Sequence, residues 1–190
     1  MIREAERSDI PHVARLMAEV FADDAAFRSY FQGCGPVNRA GDMAPIFERQ
    51  LAVEFVPEGV VDLCFDGTTL VGAACWNLPN DDHWFHFPSY VAMYGGDAYR
   101  MLLRDARSMS YHPTEPHWYL YALAVSPAAQ GKGVGSRLLR HGLERATGLV
   151  YLEATTPGSQ RLYERFGFSV TRQIPTTDPQ VTEMGMVLRR

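Results

Sequence analysis

Hydrophobic positions along this chain recur with two periods, and the switches between them mark out its elements. Residues 2–5 read as a short strand. Ser8 then stands where a helix cap belongs, Asp9 suits the positive helix end, and Pro11 is tolerated in the first turn. Val13, Leu16, Met17, Val20 and Phe21 follow at helical spacing. Gly, Pro and Asn make residues 32–41 a loop, and a second helix is predicted over 42–55. The next two runs, 60–65 and 69–76, are β-rich and flank Asp66-Gly67, a strong hairpin signal. An irregular aromatic stretch at 77–89 precedes a predicted helix over about 90–109 and a strand at 117–125, HWYLYALAV, which Ser126-Pro127 ends. An amphipathic helix at 133–146 turns Val134, Leu138, Leu139 and Leu143 inward. A strand at 149–153, a short helix at 159–166 and strands at 168–174 and 181–188 complete the chain.

Hairpins joined to strand–helix–strand units imply a mixed sheet covered by helices, an α/β (α+β) class. The sequence shows no internal repeat, low-complexity tract or interdomain linker, and 190 residues suit a single domain spanning 1–190.

Composition narrows the function classes. The net charge is −4, the pI about 5.8, and no dense Lys/Arg cluster advertises a nucleic-acid surface. An anionic ligand must therefore be held by local geometry rather than by the overall field. Cys34, Cys64 and Cys75 are odd in number and lack a C-x-x-C pair, which argues against a disulfide framework and a zinc knuckle and favours a reducing compartment. The charged start, MIREAERSDI, is no signal peptide, and no apolar run approaches membrane-spanning length. The expectation is a cytoplasmic protein with neither nucleic-acid nor membrane partners.

The informative segment runs from Leu123 to Ser136, LAVSPAAQGKGVGS. Glycines at 131, 133 and 135 remove side chains where backbone must approach a ligand, and they lie at a helix start whose free N–H groups favour an anion. This describes a phosphate cradle. A Walker A loop fails because Lys132 is followed by Gly133 rather than Ser or Thr. A dinucleotide fingerprint fails because Ser136 stands in place of its third glycine and a five-residue spacer separates the loop from the strand.

Gln130-Gly-Lys-Gly133-Val-Gly135 resembles the Q/R-x-x-G-x-G/A signature of GCN5-related (GNAT) acetyltransferases. Leu-Ala-Val-x-Pro before it, Tyr151-Leu-Glu153 after it and Leu162-Tyr163-Glu-Arg-Phe-Gly-Phe168 match that family in order and spacing. Ser8-Asp-Ile-Pro and Gln130–Ser136 bring the chain nearest to the puromycin-type members, whereas residues 33–116 match loosely. The resemblance implies a mostly antiparallel central sheet with helices on both faces, acetyl-coenzyme A as cosubstrate and no metal. It also implies direct transfer of the acetyl group to a primary amine of a small molecule, by a monomer or homodimer.

On the same resemblance, Gln130, Gly131, Lys132, Gly133, Val134, Gly135 and Ser136 hold the pyrophosphate. Leu123, Ala124 and Val125 pair their main chain with the pantetheine arm, and Ser159 and Tyr163 complete the cofactor site. Tyr163 matches the general acid, and its ionisation is expected to shape the basic limb of the pH–rate profile; otherwise it is a packing ring. Glu153, at a strand end, is either the general base or a structural glutamate. Tyr119 and Tyr121 share one strand face and, with Trp76, Trp84 and His86, are the candidate acceptor contacts, with core packing as the alternative. Asp81, Asp82, His83 and His86 superficially resemble metal ligands but lack a frame to fix their spacing, and His141-x-x-Glu144 is expected on a solvated helix face. Two rival functions remain: acetylation of protein or peptide amines, and a non-catalytic acetyl-coenzyme A sensor.

Overall fold

The β2–β3 hairpin sets the register of the sheet. β2 (Val60–Asp66) and β3 (Thr69–Asn77) pair antiparallel around a turn in which Gly67 has a φ of +57°, a left-handed conformation favourable to glycine. The computed structural model describes residues 1–30, 40–79, 87–176 and 178–190. Within it, β1 (Ile2–Glu4), β4 (His117–Val125), β5 (Leu149–Ala154), β6 (Ser169–Pro175) and β7 (Thr182–Arg189) complete a seven-stranded sheet ordered β1-β2-β3-β4-β5-β7-β6. β4 and β5 run parallel, and the other neighbouring pairs are antiparallel.

The period of two in these strands sorts side chains onto two cores. Val61, Leu63, Ala73 and Cys75 face α1 (Ile10–Phe21) and α3 (Ala40–Gln50), where they meet Val13, Met17 and Phe47. Cys64, Ala74, Trp76, Val150 and Leu152 point the other way, beneath α7 (Val134–Arg145) and α8 (Pro157–Glu164), and meet Leu138, Leu139 and Tyr163. Helices therefore cover both faces of a mixed sheet, as the sequence resemblance implies.

Several elements differ from the sequence reading. Ser8 does not cap the first helix: a 3₁₀ turn (Arg7–Asp9) comes first, with the Asp9 carboxylate accepting from the Glu6 N–H at 2.8 Å. The helix over 42–55 begins two residues earlier, as α3, and continues through a π-turn (Leu51–Phe55) into the short α4 (Val56–Glu58). α2 (Ala25–Tyr30) escaped the periodicity because it is only six residues long; Asp24 starts it by accepting from the Ala26 and Phe27 N–H groups. The helix over 90–109 is two helices, α5 (Phe87–Tyr94) and α6 (Ala98–Met109), broken at Gly95, whose φ is +56°. Most of the loop at 32–41 and the stretch holding Asp81, Asp82, His83, Trp84 and His86 lie outside the described residues.

Trp76 corrects another expectation. Its ring is fully buried under α7 in the second core and does not serve as an acceptor contact. A Cβ built on Gly142 of α7 would lie 2.2 Å from that ring, so the glycine is what lets helix and indole meet. Alanine gains about 1 kcal/mol of helix propensity over glycine. Overpacking against a large immobile ring costs about 1–3 kcal/mol, and the clash wins. Gly142→Ala is therefore expected to lower the urea midpoint, and a midpoint at or above the parent value would show that the indole moves freely.

Candidate active site

A bulge in β4 opens the sheet. Cys75 pairs with Ala122 and Trp76 with Leu120, so Tyr121 is the extra residue between them and has no β3 partner. The parallel pairing of β4 to β5 ends at the same level, at Leu120–Leu152, although β4 continues to Val125 and β5 to Ala154. The strands part there, and the β4 main chain beyond Leu120 faces a gap.

The glycine loop lies at the open end of that gap. Gly131 and Gly133 have φ values of +74° and +78°, and a Cβ on either would meet nothing within 4 Å. Their glycines satisfy backbone conformation and leave the loop open to approach. Gly133 is the N-cap of α7, so the first N–H groups of that helix point into the opening. Gly135 acts differently: a Cβ there would sit 3.5 Å from Leu162, 3.6 Å from Val125 and 3.8 Å from Leu123, filling the space beside the end of β4. The Gln130 amide donates to the Val125 carbonyl at 3.1 Å and folds the loop back onto the strand. Ala124 is fully buried, which leaves its main chain, and the half-buried Leu123 and Val125, at the gap. Ser159 is engaged in a capping box with Thr156, its hydroxyl donating to the Thr156 carbonyl at 2.8 Å. A helix start, an open glycine turn and an unpaired strand edge together fit a phosphate attached to an extended arm.

On the other side of the sheet lies a cavity of about 300 Å³. Its lining includes Tyr119 and Tyr121 together with five carboxyl groups, Glu54, Glu58, Asp105, Glu153 and Glu183, and no Lys or Arg among the described residues. The two tyrosines do share a side of β4, with ring centroids 6.1 Å apart. Gln50 is buried against Tyr121, its amide nitrogen donating to the Tyr94 and Tyr121 hydroxyls at 2.7 and 3.1 Å while its oxygen has no hydrogen-bond partner among the described residues. Glu54 accepts from the Asn77 amide at 2.9 Å.

Glu153 is held from both β4 and β5. It accepts from the Tyr119 hydroxyl at 3.1 Å and from the Tyr151 hydroxyl at 3.2 Å, and His112 Nε2 lies 3.6 Å away. Burial beside Glu153 and Asp24 pushes Glu183 up to about 8. Burial, with Glu153 nearby, holds Asp105 well above the usual carboxylate range, and Tyr90 donates to it at 2.5 Å. Two of the five acids thus keep their protons far more tightly than free carboxylates do.

Tyr163 stands apart from this lining, at the edge of the second core. It is 6% exposed, its ring is 6.0 Å from that of Phe168, and burial followed by the nearby Asp24 charge raises its phenol well above the ordinary 10. Asp24 also accepts from Thr155 at 2.7 Å, and Thr155 lines the cavity, so the phenol lies close to the cavity wall. The upward shift favours the protonated phenol and changes the expected pH effect: removal of Tyr163 is now expected to leave the basic limb in place. His141 is corrected too: rather than being simply solvated, it lies 3.6 Å from the buried Asp62, which also accepts from Arg145 at 2.6 Å. His112 and the cavity acids other than Glu153 carried no sequence signal. Among the described residues, no three His, Cys, Asp or Glu side chains gather in a metal-binding cluster, and no helix is long and apolar enough to cross a membrane.

A split parallel pair with a phosphate-type loop at one end and an acidic, tyrosine-walled cavity beside it defines a group-transfer site. The Acetyltransferase (GNAT) family profile matches residues 25–168, and the chain belongs to that family, whose members are acyltransferases using acetyl-coenzyme A. Among solved structures, the histone acetyltransferase HPA2 and related acetyltransferase from Corynebacterium glutamicum is 32% identical with a TM-score of 0.79, covering 100% of this chain and 95% of that one. Arylalkylamine N-acetyltransferase 2 from Aedes aegypti shares the fold, with 16% identity, a TM-score of 0.72 and coverage of 100% and 98%. A curated relative, mycothiol acetyltransferase from Mycobacteroides abscessus, is 34% identical over 80 residues, 36% of this chain and 27% of that protein. The matched region thus spans about a quarter of the curated relative's length.

Proposed function

We propose that this acetyltransferase acetylates a primary amine on a small cationic molecule, by direct transfer from acetyl-coenzyme A in a ternary complex. The observation that carries this reading is the cavity beside the β4–β5 gap, lined by five carboxyl groups and, among the described residues, one histidine but no Lys or Arg. Such a wall favours an ammonium over a neutral or anionic acceptor. The Aedes relative's name, an arylalkylamine acetyltransferase, is in keeping with an amine acceptor.

In this reading the loop from Gln130 through Gly131, Lys132 and Gly133 to Val134, Gly135 and Ser136 receives the pyrophosphate, and Leu123, Ala124 and Val125 offer main-chain partners to the arm. Ser159 orders the start of α8 and through it the placement of Tyr163. Tyr119 and Tyr121 position the amine, Glu153 removes its proton, and Tyr163 donates to the departing sulfur. The acidic wall creates a conflict, since negative charge that binds an ammonium also opposes its deprotonation. The tightly held protons on Asp105 and Glu183 reduce that opposition.

The test is release of coenzyme A thiol over a panel of 1,4-diaminobutane, tyramine, benzylamine, a lysine-containing peptide and a neutral alcohol. The small amines are expected to turn over. Turnover of the peptide alone would transfer the reading to protein acceptors, and coenzyme A binding without any turnover would make the domain a sensor. Gly135→Trp is the binding control: an indole in the space beside Leu123, Val125 and Leu162 should weaken coenzyme A by at least about tenfold, or 1.4 kcal/mol, in calorimetry. Unchanged affinity in the folded variant would place the cofactor elsewhere.

A further inference from the structure

The two halves of the site meet where the sheet opens. Beyond Leu120–Leu152 the β4–β5 ladder stops, while Glu153 and Ala154 keep their pairing with Gly185 and Met184 of β7. Thr155 is the first residue past β5 and lines the cavity. Its hydrogen-bond partner, Asp24, lies in the turn between α1 and α2. We propose that Asp24 is a positioning residue for acetyl transfer, locking the α2 wall of the acceptor cavity to the end of β5 that carries Glu153. The inference rests on the amine-acetylation reading above.

Three hydrogen bonds form the lock. Thr155 Oγ1 donates to Asp24 Oδ2 at 2.7 Å, joining residues 131 positions apart. Asp24 Oδ1 accepts from the Ala26 and Phe27 N–H groups at 2.9 and 3.1 Å and so starts α2. One carboxylate thus uses both oxygens to tie a helix start to a strand end. A carboxylate suits the task because it only accepts, and bonds donated to an anion are stronger than bonds to a neutral oxygen.

What the lock positions follows from α2. Ala26, Phe27 and Tyr30 all line the cavity. The Phe27 ring stacks on Phe21 at 4.1 Å and meets Tyr121 edge-on at 6.3 Å, so a shift of the first turn reaches a proposed acceptor contact directly. The far end of α2 has its own anchors: the Ser29 hydroxyl accepts from the Asp178 N–H at 3.1 Å, and Arg104 donates to the Tyr30 carbonyl. Asp24 therefore controls the end tied to β5. Its charge is felt at the Tyr163 phenol in the second core and at Glu183 in the cavity lining, which sets it between the acid and the acceptor wall.

Position matters most in a direct transfer. The amine nitrogen must come within about 3–3.5 Å of the acetyl carbon, and a misplacement of about 1 Å can cost about 10²-fold in rate. With the lock open, the acceptor still finds the same side chains but meets the thioester at the wrong distance. The expected signature is a lower kcat with little change in either KM.

Thr155→Val removes the donated hydroxyl and keeps the shape of the side chain. With the fastest amine of the panel it should lower kcat roughly tenfold and hold both KM values within about twofold, and Thr155→Ser should restore at least about half of the parent kcat. Asp24→Asn separates position from charge. Asparagine is an equally good cap and its amide can donate to Thr155 Oγ1, so the lock persists with its polarity reversed, and kcat should fall less than in Thr155→Val. A loss of about 10²-fold in Asp24→Asn, exceeding that in Thr155→Val, would make Asp24 a proton acceptor and overturn the positioning role. Parent-like kinetics in Thr155→Val, a loss confined to KM, or a loss that serine does not restore would overturn it as well. Hydrogen–deuterium exchange needs no acceptor: amides of residues 25–30 should exchange at least about threefold faster in Thr155→Val than in the parent, with those of β3 unchanged. Equal exchange across α2 would show that the lock holds nothing. If the parent acetylates nothing in the panel, the acceptor reading fails separately, and exchange alone decides whether the lock exists.

Discussion

Glu153→Gln is expected to lower kcat by about 10³-fold, equivalent to about 4 kcal/mol of transition-state stabilisation. Glutamine preserves the shape of the side chain. Its oxygen can still accept from one of the two tyrosine hydroxyls, now 3.1 and 3.2 Å from the carboxylate, and its amide can donate to the other hydroxyl oxygen. The β4–β5 framework should therefore survive, with thermal unfolding close to the parent's. The lost function is acceptance of a proton, which matters more here because the acidic cavity stabilises the ammonium form of the acceptor. Removing one negative charge should also raise the acceptor KM severalfold, while the KM for acetyl-coenzyme A stays nearly constant. Steady-state kinetics on both substrates check this. Retention of a third or more of the parent kcat would mean that water or another carboxylate takes the proton.

The two halves of the site were unequally legible in the sequence. The cofactor loop could be read because its chemistry is local: seven consecutive residues, 130–136, hold the glycines and the helix start. Glu153 and Tyr163 came with two further segments of the same resemblance, Tyr151-Leu-Glu153 and Leu162–Phe168. The cavity could not be read this way, since Glu54, Glu58, Asp105 and Glu183 lie on different elements and meet through tertiary packing. His112 sits between α6 and β4, and its significance appears when β5 brings Glu153 beside it. Trp76 was misassigned for a physical reason. Ala73, Ala74, Cys75 and Trp76 are all buried, so a strand covered on both faces shows no alternation to tell its sides apart. Tyr121 was placed on the correct side by alternation, although the bulge then brings Ala122 into the same core as Tyr121. Gly95-Gly96 was the overlooked sign that residues 90–109 form two helices.

Tyr163→Phe is expected to fold normally, bind coenzyme A like the parent and lose about 10²-fold in kcat. The ring packs beside Phe168 in the second core, so phenylalanine keeps that contact and removes the hydroxyl alone. The raised phenol pKa determines the form of the effect. An isolated thiol has a pKa of roughly 8.5, so full transfer from this much weaker acid to a free thiolate is uphill. Tyr163 therefore contributes most as charge builds on sulfur, by donating a hydrogen bond through the transition state, and water replaces any proton it gives up. Because the upward shift favours the protonated phenol, its removal should lower the pH–rate profile without reshaping the basic limb. Rate profiles from pH 6 to 10 test both parts. A uniformly lowered curve supports donation from Tyr163. A lost or shifted basic limb would mean that cofactor binding brings the phenol pKa down into range, and a parent-like rate would leave the ring with packing alone.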